Sequence, residues 1–448
     1  MGRDSFSGRA TAIMALAGSA IGLGNIWRFP YVVGQNGGAA FIFVYILATL
    51  LLSLPIFFAE AIIGRRSGAN CRGAMAKLAP GTHWHFFGLF CVLTPLLIVS
   101  YYSVVGGWSL DYLFKAMTLS FTSGGDIPSF GDFVSSASEP LLAHSVFLLL
   151  CVVILLGGVK KGIGRVSKFG MPLLFLMVLA IAVFSLTLPG ASEGAKYLLY
   201  PDFSKITART CLEAVGQSFY SLSLGMGIII TYSSYIKKSE NLMTVGVGTA
   251  FSDLLFAMLA GLSVMPAVFA AGIAPGSGPG LIFDTLPYIF SSMSASIPIL
   301  TSVVAVLFFL TVLFAAITSA VSLMEVGVAF LSEEFSMKRR KAVILIALFV
   351  WSLGALCSLS LGPLSDVNIF GLSLFDALDK LCSNVLLIIG GLVAVLFVGW
   401  KMRKEDVFDE FTGGGRLRAG RRVFGAVYFV VKYLAPITVV MVFVSNII

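Results

Sequence analysis

The segment from residue 10 to residue 33 is apolar and long enough to cross a bilayer, yet its middle does not suit an uninterrupted helix. Residues 18–30 read GSAIGLGNIWRFP, which combines repeated glycines with an asparagine, an arginine and a final proline. Glycine costs roughly 1 kcal/mol at a helix position, and a charge at membrane depth costs at least about 2.5 kcal/mol. Non-helical backbone is tolerated at that depth only where protein buries it or a polar cavity solvates it. The pattern predicts a helix that breaks in mid-membrane and exposes backbone groups to an ion or a polar ligand. The alternative is an intact, flexible helix whose arginine reaches the interface.

The composition indicates that the whole chain is a polytopic membrane protein. Of the 448 residues, 58% are hydrophobic and 12% are charged, whereas a soluble domain has about a quarter charged residues. The net charge of +8 resides in short loops between apolar segments, so it predicts topology and not nucleic-acid binding. The six cysteines have no paired spacing, which indicates neither a disulfide framework nor a metal site.

About eleven segments reach the ~20 residues that a spanning helix needs. They are residues 9–33, 39–64, 86–116, 141–158, 166–188, 211–236, 242–272, 298–331, 341–361, 373–401 and 421–446. Most of the 30 Lys and Arg precede span 1 or follow spans 2, 4, 6, 8 and 10. Because basic loops stay on the cytoplasmic side, we expect a cytoplasmic amino terminus and an extracytoplasmic carboxyl terminus.

A second broken span is predicted in the sixth segment, which reads AVGQSFYSLSLGMGIII from residue 214 to residue 230. Polar side chains and two glycines interrupt an otherwise apolar helix there. Spans 1 and 6 are five segments apart, so two five-helix repeats of opposite orientation would place both breaks in corresponding positions. Paired glycine-interrupted spans of this kind indicate the midplane site of a secondary transporter. The expected boundaries are about 9–188 for the first repeat, about 211–401 for the second and about 421–446 for an extra helix, all within one transmembrane domain over 1–448.

The sequence resembles the neurotransmitter:sodium symporters, in particular bacterial amino-acid transporters with eleven spans. The matching pieces are GSAIGLGNIWRFPYVVGQNGGAAF (18–41), SYYSVVGGW (100–108), GQSFYSLSLGMGIIITYSSY (216–235), FAAITSAVSLME (314–325) and FDALDKLCSNVLLIIGG (375–391). The resemblance implies an all-α LeuT-like fold with discontinuous helices 1 and 6. It also implies sodium-driven symport of a neutral, hydrophobic or aromatic L-amino acid across a bacterial inner membrane.

The resemblance implies a substrate site built by both breaks. A half-helix amino terminus offers N–H groups to a carboxylate, and unwound carbonyls face an ammonium. The amides of Leu23 and Gly24 with the Tyr102 hydroxyl are expected to hold the carboxylate. The ammonium and the side-chain subsite are expected to involve Ala20, Ile98, Val105, Tyr220, Ser221, Ser223, Met226, Ser319 and Leu323.

The resemblance also implies two sodium sites, because sodium takes oxygen ligands. The first would comprise Ala20, Asn25, Ser221 and position 253, together with the substrate carboxylate. The second would comprise Gly18, Ile21, Ala315, Thr318 and Ser319. Serine and threonine in an apolar helix often only bond back to the preceding turn, so the spacing after Ala315 is what distinguishes this pair.

Asp253 departs from a bacterial member of the family that carries asparagine at this place. An intramembrane carboxylate is a functional hypothesis by default. A fixed negative charge here could offset sodium, which predicts transport without a chloride requirement. The sequence leaves open whether Asp253 is a sodium ligand or a proton carrier.

The same resemblance implies two gates. Arg28 and Asp379, with Gln217 nearby, are expected to form the outer gate, and Arg3 and Glu333, with Tyr235, the cytoplasmic gate. Glu334 could replace Glu333, because the family usually has aspartate at that place. Gly162 and Pro172 match a pattern at which relatives unwind the fifth helix.

Other classes of protein are less consistent with these residues. An enzyme would show a nucleophile–base pair or a metal cluster, and a channel would need a continuous polar path, whereas the polar residues gather at mid-depth between charged gates. A sodium-dependent amino-acid sensor with the same fold stays open. The expected partners are the amino acid, sodium ions and the lipid bilayer, with no nucleic acid; the sequence leaves the oligomeric state open.

Overall fold

The structure is a computed structural model, and it describes residues 5–121, 129–272, 282–283, 285–294, 298–414 and 417–447. Among these residues, nine helices are long and apolar enough to cross a membrane. A tenth span is the bent pair Arg9–Ala20 (α1) and Gly24–Gln35 (α2), whose axes differ by 55°. An eleventh is the interrupted pair Ala208–Ser221 (α10) and Ile228–Ser233 (α11).

The helices follow one another in the order expected from the hydropathy. Between α2 and α10 come Ala39–Ser67 (α3), Cys71–Leu78 (α4), Trp84–Met117 (α5), Phe130–Ser135 (α6), Ser138–Leu156 (α7), Gly158–Leu186 (α8) and Ala191–Leu199 (α9). After α11 come Leu242–Ala270 (α12), Thr285–Ser294 (α13), Pro298–Glu334 (α14), Arg339–Leu359 (α15), Leu374–Lys401 (α16), Lys404–Thr412 (α17) and Gly420–Ser445 (α18). The two longest, α5 and α14, pack along each other beside the broken spans.

The break in the first span lies where the sequence predicts it. Helix α1 ends at Ala20, and Ile21 has an extended conformation with ψ 102°. The freed groups find partners in side chains: Asn25 Oδ1 accepts from Gly22 N at 3.3 Å, and Tyr102 Oη accepts from Leu23 N at 3.1 Å. Buried backbone groups must be paired, so these contacts make the break stable in an apolar surround.

The break in the sixth span covers the six residues between Ser221 and Ile228. Gly225 has φ +76°, in the left-handed region, and its N–H donates to Glu60 Oε1 of α3 at 2.7 Å. Ser223 is left-handed as well, with φ 54°, and its hydroxyl donates to Ser19 O of the other break at 2.9 Å. The two interrupted segments therefore contact each other directly, and the prediction of discontinuous spans 1 and 6 is confirmed.

Helix α16 approaches the second break backbone to backbone. A Cβ at Gly225 would lie 2.0 Å from Leu387 O, and one at Gly390 would lie 2.0 Å from Gly225 O. No side chain fits in either position. Glycine at both places is therefore a requirement of this contact.

We expect Gly390→Ala to destabilise the protein, because the added methyl group would force α16 away from Gly225. Overpacking of this kind typically costs about 1–3 kcal/mol. The measurement is thermal unfolding of the purified variant in detergent. Gly425→Ala is the matched control, since nothing lies within 4 Å of a Cβ there; equal stability of the two variants would contradict the contact.

Candidate functional site

A first polar centre lies at the break in span 1, where an amide and a hydroxyl converge. Leu23 N and Tyr102 Oη are 3.1 Å apart, so one carboxylate oxygen could accept from both. The backbone here runs close to its neighbours. A Cβ at Gly22 would lie 2.9 Å from Tyr102 Oη, and one at Gly24 would lie 2.7 Å from the Tyr220 ring. Because Gly22 and Gly24 have no side chains, the backbone at the start of α2 can lie close to Tyr102 and Tyr220 and face the cavity directly.

A second polar centre joins four buried side chains from four spans. Asp253 Oδ1 accepts from Asn25 Nδ2 at 2.8 Å, and Asp253 Oδ2 accepts from the Ser221 hydroxyl at 2.7 Å. The Tyr45 hydroxyl lies 3.1 Å from Ser221 Oγ and 3.3 Å from Asp253 Oδ2. All four residues are buried. The cluster thus holds a carboxylate in the membrane interior with hydrogen-bond donors and, among the described residues, no basic side chain bonded to it. This arrangement suits a site for a monovalent cation.

A third polar centre gathers oxygens around Ser319 on α14. Its hydroxyl lies 3.5 Å from Gly18 O, 3.3 Å from Ser19 O and 3.3 Å from Ile21 O. One hydroxyl carries one proton, so this group has more acceptors than donors. Thr318 Oγ1, one residue earlier, bonds to Ala315 O at 3.0 Å. Hard cations take such carbonyl and hydroxyl ligands.

A cavity of about 30 Å³ connects the three centres. It holds only one or two water molecules, so an amino acid would have to displace side chains. Its lining includes most of the residues expected for the substrate: Ala20, Gly24, Ile98, Tyr102, Tyr220, Ser221, Ser223, Met226, Ser319 and Leu323. Leu23 and Val105 line the cavity above it.

One side of the site is open. A cavity of about 260 Å³ has Arg28 and Asp379 in its walls, and the two side chains form no ion pair within 4.0 Å among the described residues. The Arg28 guanidinium instead lies 4.7 Å from the centre of the Tyr220 ring. Gln217 is buried, and its carboxamide has no hydrogen-bond partner in the described ranges. Arg28 and Asp379 therefore line one entrance without closing it, whereas Gln217 is not in the wall of this cavity.

The opposite end of the site is closed by packing. Phe6 is buried between Tyr232 and Tyr235, and its N–H donates to Tyr235 O at 3.0 Å. Arg3, expected in this gate, lies outside the described residues. Glu333 accepts from Asn70 N at 2.7 Å, and Glu334 forms an ion pair with Arg72. Both glutamates thus hold helix α4 against the end of α14.

An ion pair that the sequence did not single out lies beside this gate. Arg339 donates to both oxygens of buried Glu325, at 2.9 Å and 2.6 Å, and Tyr235 Oη donates to Glu325 Oε1 at 2.9 Å. Tyr235 therefore belongs to a network with Glu325 and Arg339. Glu325 was visible as the last residue of the matching piece 314–325, but its partner could not be read from the sequence.

Other residues of the site were also missed. Tyr45 and Ser19 carry hydrogen bonds at the second and third centres, and Glu60 holds Gly225. The glutamate inside span 2 was a signal of this role, whereas the tyrosine was one of several aromatic residues there. The segment between Gly162 and Pro172 is helical throughout, so the expected unwinding stays a prediction.

Two interrupted spans that meet at mid-membrane, with polar groups between them and an opening on one side only, define a secondary transporter. The model of the Sodium:neurotransmitter symporter family matches residues 3–124 and 132–448. The chain is 38% identical to the uncharacterized sodium-dependent transporter YhdH of Bacillus subtilis, with 97% of this chain and 95% of that protein covered.

Further similarity extends to solved structures and to animal proteins. The crystal structure of MhsT in complex with L-phenylalanine superposes with a TM-score of 0.89 at 41% identity, and the match covers 99% of this chain and 100% of that one. The sodium-dependent serotonin transporter of Drosophila melanogaster is 27% identical, with 82% of this chain and 66% of that protein covered. The chain belongs to the sodium:neurotransmitter symporter family. It is a sodium-dependent symporter with a LeuT-like fold and not an enzyme.

We expect Tyr45→Phe to raise the sodium concentration needed for half-maximal substrate binding by about tenfold. The change removes one hydrogen bond to a charged group, worth about 1.5–3 kcal/mol, and keeps the ring. Sodium titration of substrate binding measures it. Ser53→Ala is the control, because Ser53 is also on α3 and the change removes a buried hydrogen bond, the one between the hydroxyls of Ser53 and Ser218 at 2.7 Å. The same sodium dependence in Tyr45→Phe and wild type would show that Tyr45 does not contribute to sodium binding.

Proposed function

We propose that this protein imports a neutral, hydrophobic or aromatic L-amino acid together with sodium, by alternating access across a bacterial inner membrane. The observation that carries the proposal is the meeting of the two breaks around one small cavity with a buried carboxylate beside it. MhsT, a structural relative, was crystallised with L-phenylalanine, which supports an aromatic or similar substrate.

Recognition of the backbone of the amino acid would use groups at the breaks. Leu23 N, Gly24 N and Tyr102 Oη would donate to the carboxylate. The ammonium would lie near the carbonyls of Ala20, Tyr220 and Ser221 and the Ser223 hydroxyl. The positive end of the α2 half-helix favours the carboxylate by its dipole as well.

Selectivity would come from the apolar part of the cavity. Ile98, Met226 and Leu323 line it without a charge that could pair with an acidic or basic side chain. Methionine is flexible and adapts to different shapes. Because the cavity holds little more than water, we expect Met226 and Tyr220 to move when an aromatic substrate enters.

Two sodium ions would bind as co-transported cargo. The first would use Ala20 O, the Ser221 hydroxyl, Asp253 and Asn25, whose carboxamide would turn by 180° to present its oxygen. The second would use the oxygens of Gly18, Ile21, Ala315, Thr318 and Ser319, of which Gly18 O and Ile21 O already surround the Ser319 hydroxyl. A substrate carboxylate near Asn25 would add a ligand to the first ion, which would couple the binding of both.

The driving force follows from the charge moved. One elementary charge crossing 100 mV gives about 2.3 kcal/mol, enough for roughly fiftyfold accumulation.

Closure of Arg28 onto Asp379, with Gln217 as a nearby partner, would seal the outside. Opening would require release of Phe6 and of the Tyr235 network at the other end, with Arg3 and Glu333 as the expected pair. Unwinding between Gly162 and Pro172 would then admit water to the second sodium site.

Orientation follows the basic loops. The ends of α3, α16 and the start of α15 carry clusters of Lys and Arg, which supports a cytoplasmic location for that side. The amino terminus would be cytoplasmic and the carboxyl terminus extracytoplasmic. A sensor that binds sodium and amino acid without transport is the second candidate, because binding alone needs no movement.

The central prediction is accumulation of labelled phenylalanine, leucine or tyrosine in proteoliposomes with an inward sodium gradient. We expect internal substrate to exceed the external concentration and to leak out when a sodium ionophore collapses the gradient. Sodium-dependent binding without accumulation would identify a sensor, and transport that never exceeds equilibrium would identify a channel.

We expect Asn25→Ala to weaken sodium-dependent substrate binding at least about tenfold, because it removes a polar partner of a buried charge. Asn36→Ala is the matched control, because the Asn36 side chain donates to Val32 O at 3.0 Å at the carboxyl end of α2, away from the sodium site. Unchanged sodium-dependent binding in a folded Asn25→Ala protein would show that the first-site assignment is wrong.

We expect uptake to persist when chloride is replaced by gluconate, because Asp253 supplies the fixed negative charge beside the first sodium. Asp253→Asn keeps the shape and removes the charge. Only this variant should show uptake that chloride stimulates. Collapse of wild-type uptake in gluconate would contradict the prediction.

A further inference from the structure

One basic side chain of helix α18 lies beside the last turn of α16, away from the transport site. Lys432 of α18 is half-buried, and its Nζ lies 5.0 Å from the centre of the Trp400 ring, 5.6 Å from Tyr433 and 5.9 Å from Tyr428. A cation within about 6 Å of an aromatic ring is attracted by its π face. Three rings therefore hold one ammonium group.

The backbone of two helices fixes this arrangement. Trp400 Nε1 donates to Lys432 O at 2.9 Å, and Tyr428 Oη donates to Gly399 O at 3.2 Å. A Cβ at Gly399 would lie 2.9 Å from Lys432 Cα, so α16 and α18 touch here. Both helices have a π-helical turn at the contact, Phe397–Lys401 and Val430–Leu434. Such turns are frequent at functional sites.

A second ammonium group shares one of the rings. Lys404 Nζ of α17 lies 5.6 Å from the centre of the Tyr428 ring, and Lys432 Nζ lies 5.9 Å from the centre of the same ring. Within the described ranges, neither lysine has a carboxylate within 4.0 Å. The nearby acids Asp406 and Glu410 are paired with Arg66 and Arg65 instead. Two like charges held around one ring without a counter-ion favour an anionic ligand.

The position of the pair in the membrane indicates which anion. Trp400 is next to the last residue of α16, so the site lies at the membrane edge, where aromatic side chains concentrate. That edge is the end of the bundle with the basic loops, proposed above as cytoplasmic. After Lys432, α18 exposes Leu434, Ile437 and Met441, a strip of apolar side chains.

Other basic residues extend the positive surface. Lys401 and Arg403, close in sequence to Lys404, are exposed, and so are Arg421 and Arg422 at the start of α18. Topology alone accounts for basic loops, but it does not account for a lysine within helix α18 that three aromatic rings position.

We propose that Lys404 and Lys432 bind the phosphate of an anionic phospholipid, whose acyl chains lie along the apolar strip of α18. The site has the two components that such a ligand requires, paired cations at headgroup depth and exposed apolar surface continuing into the hydrocarbon. A bound lipid would brace α16, which carries Asp379 and Gly390, against α18.

Native mass spectrometry of the purified protein, titrated with dioleoylphosphatidylglycerol, tests the proposal. We expect the double variant K404Q/K432Q to bind this lipid about thirtyfold more weakly than wild type, since each basic residue near the surface contributes to anionic-lipid binding. K404R/K432R keeps both charges and should bind within about threefold of wild type. Gel filtration and thermal unfolding establish that each variant is folded.

The control variant R340Q/K341Q also removes two exposed positive charges, at the same end of the bundle on α15. We expect it to bind the lipid as wild type does. Equal loss in this control, or no loss in K404Q/K432Q, would overturn the site. Equally tight binding of dioleoylphosphatidylcholine would overturn the requirement for an anion. Displacement of the lipid by millimolar inorganic phosphate would overturn the lipid assignment and identify a free-anion site.

Discussion

The pairing of unwound backbone in an apolar surround is the constraint on which this structure depends. A broken helix in the membrane leaves N–H and C=O groups that water cannot reach, and each costs several kcal/mol unless it is bonded. The protein satisfies them by joining the two breaks to each other and to their neighbours. The Ser223 hydroxyl bonds to Ser19 O, and Glu60 accepts from Gly225 N. The polar midplane is therefore stable because both breaks occur together.

This arrangement also connects stability with ligand binding. The groups that stabilise the breaks, such as Tyr102 Oη and the Ser319 hydroxyl, are the groups expected to contact substrate and sodium. A ligand oxygen or a cation would exchange one set of bonds for another without exposing bare backbone. Such an exchange moves side chains but needs little reorganisation of the backbone, which suits a site that must bind and release its cargo.

Much of this organisation could be predicted from sequence, and the reasons are local. Glycines inside an apolar run mark the breaks, because glycine is costly in a helix and useful only where backbone approaches closely or turns. Asn25, Ser221 and Asp253 stood out because polar groups are rare at that depth, and the structure brings all three together. Their roles as ligands rest on the family resemblance and on the tests above.

What the sequence could not supply were contacts between distant helices. Tyr45 looked like one aromatic residue among many in span 2, and only the fold places its hydroxyl on Asp253. The Glu325–Arg339 pair and the cage around Lys432 likewise depend on which helix faces which. The separation of Arg28 from Asp379 is a property of one conformation, and hydropathy carries no information about it.

The contact between Gly225 and Gly390 joins α16 to the second break at one point along its length. No side chain separates the two backbones, so a tilt of α16 would have this close contact as its fulcrum. Asp379, in the wall of the entrance, lies eleven residues from Gly390, about 16 Å along the helix at 1.5 Å per residue. A tilt of 10° about the fulcrum would move its backbone by roughly 3 Å, a distance comparable to one hydrogen bond. Rigid helix tilt alone could then open or close the entrance.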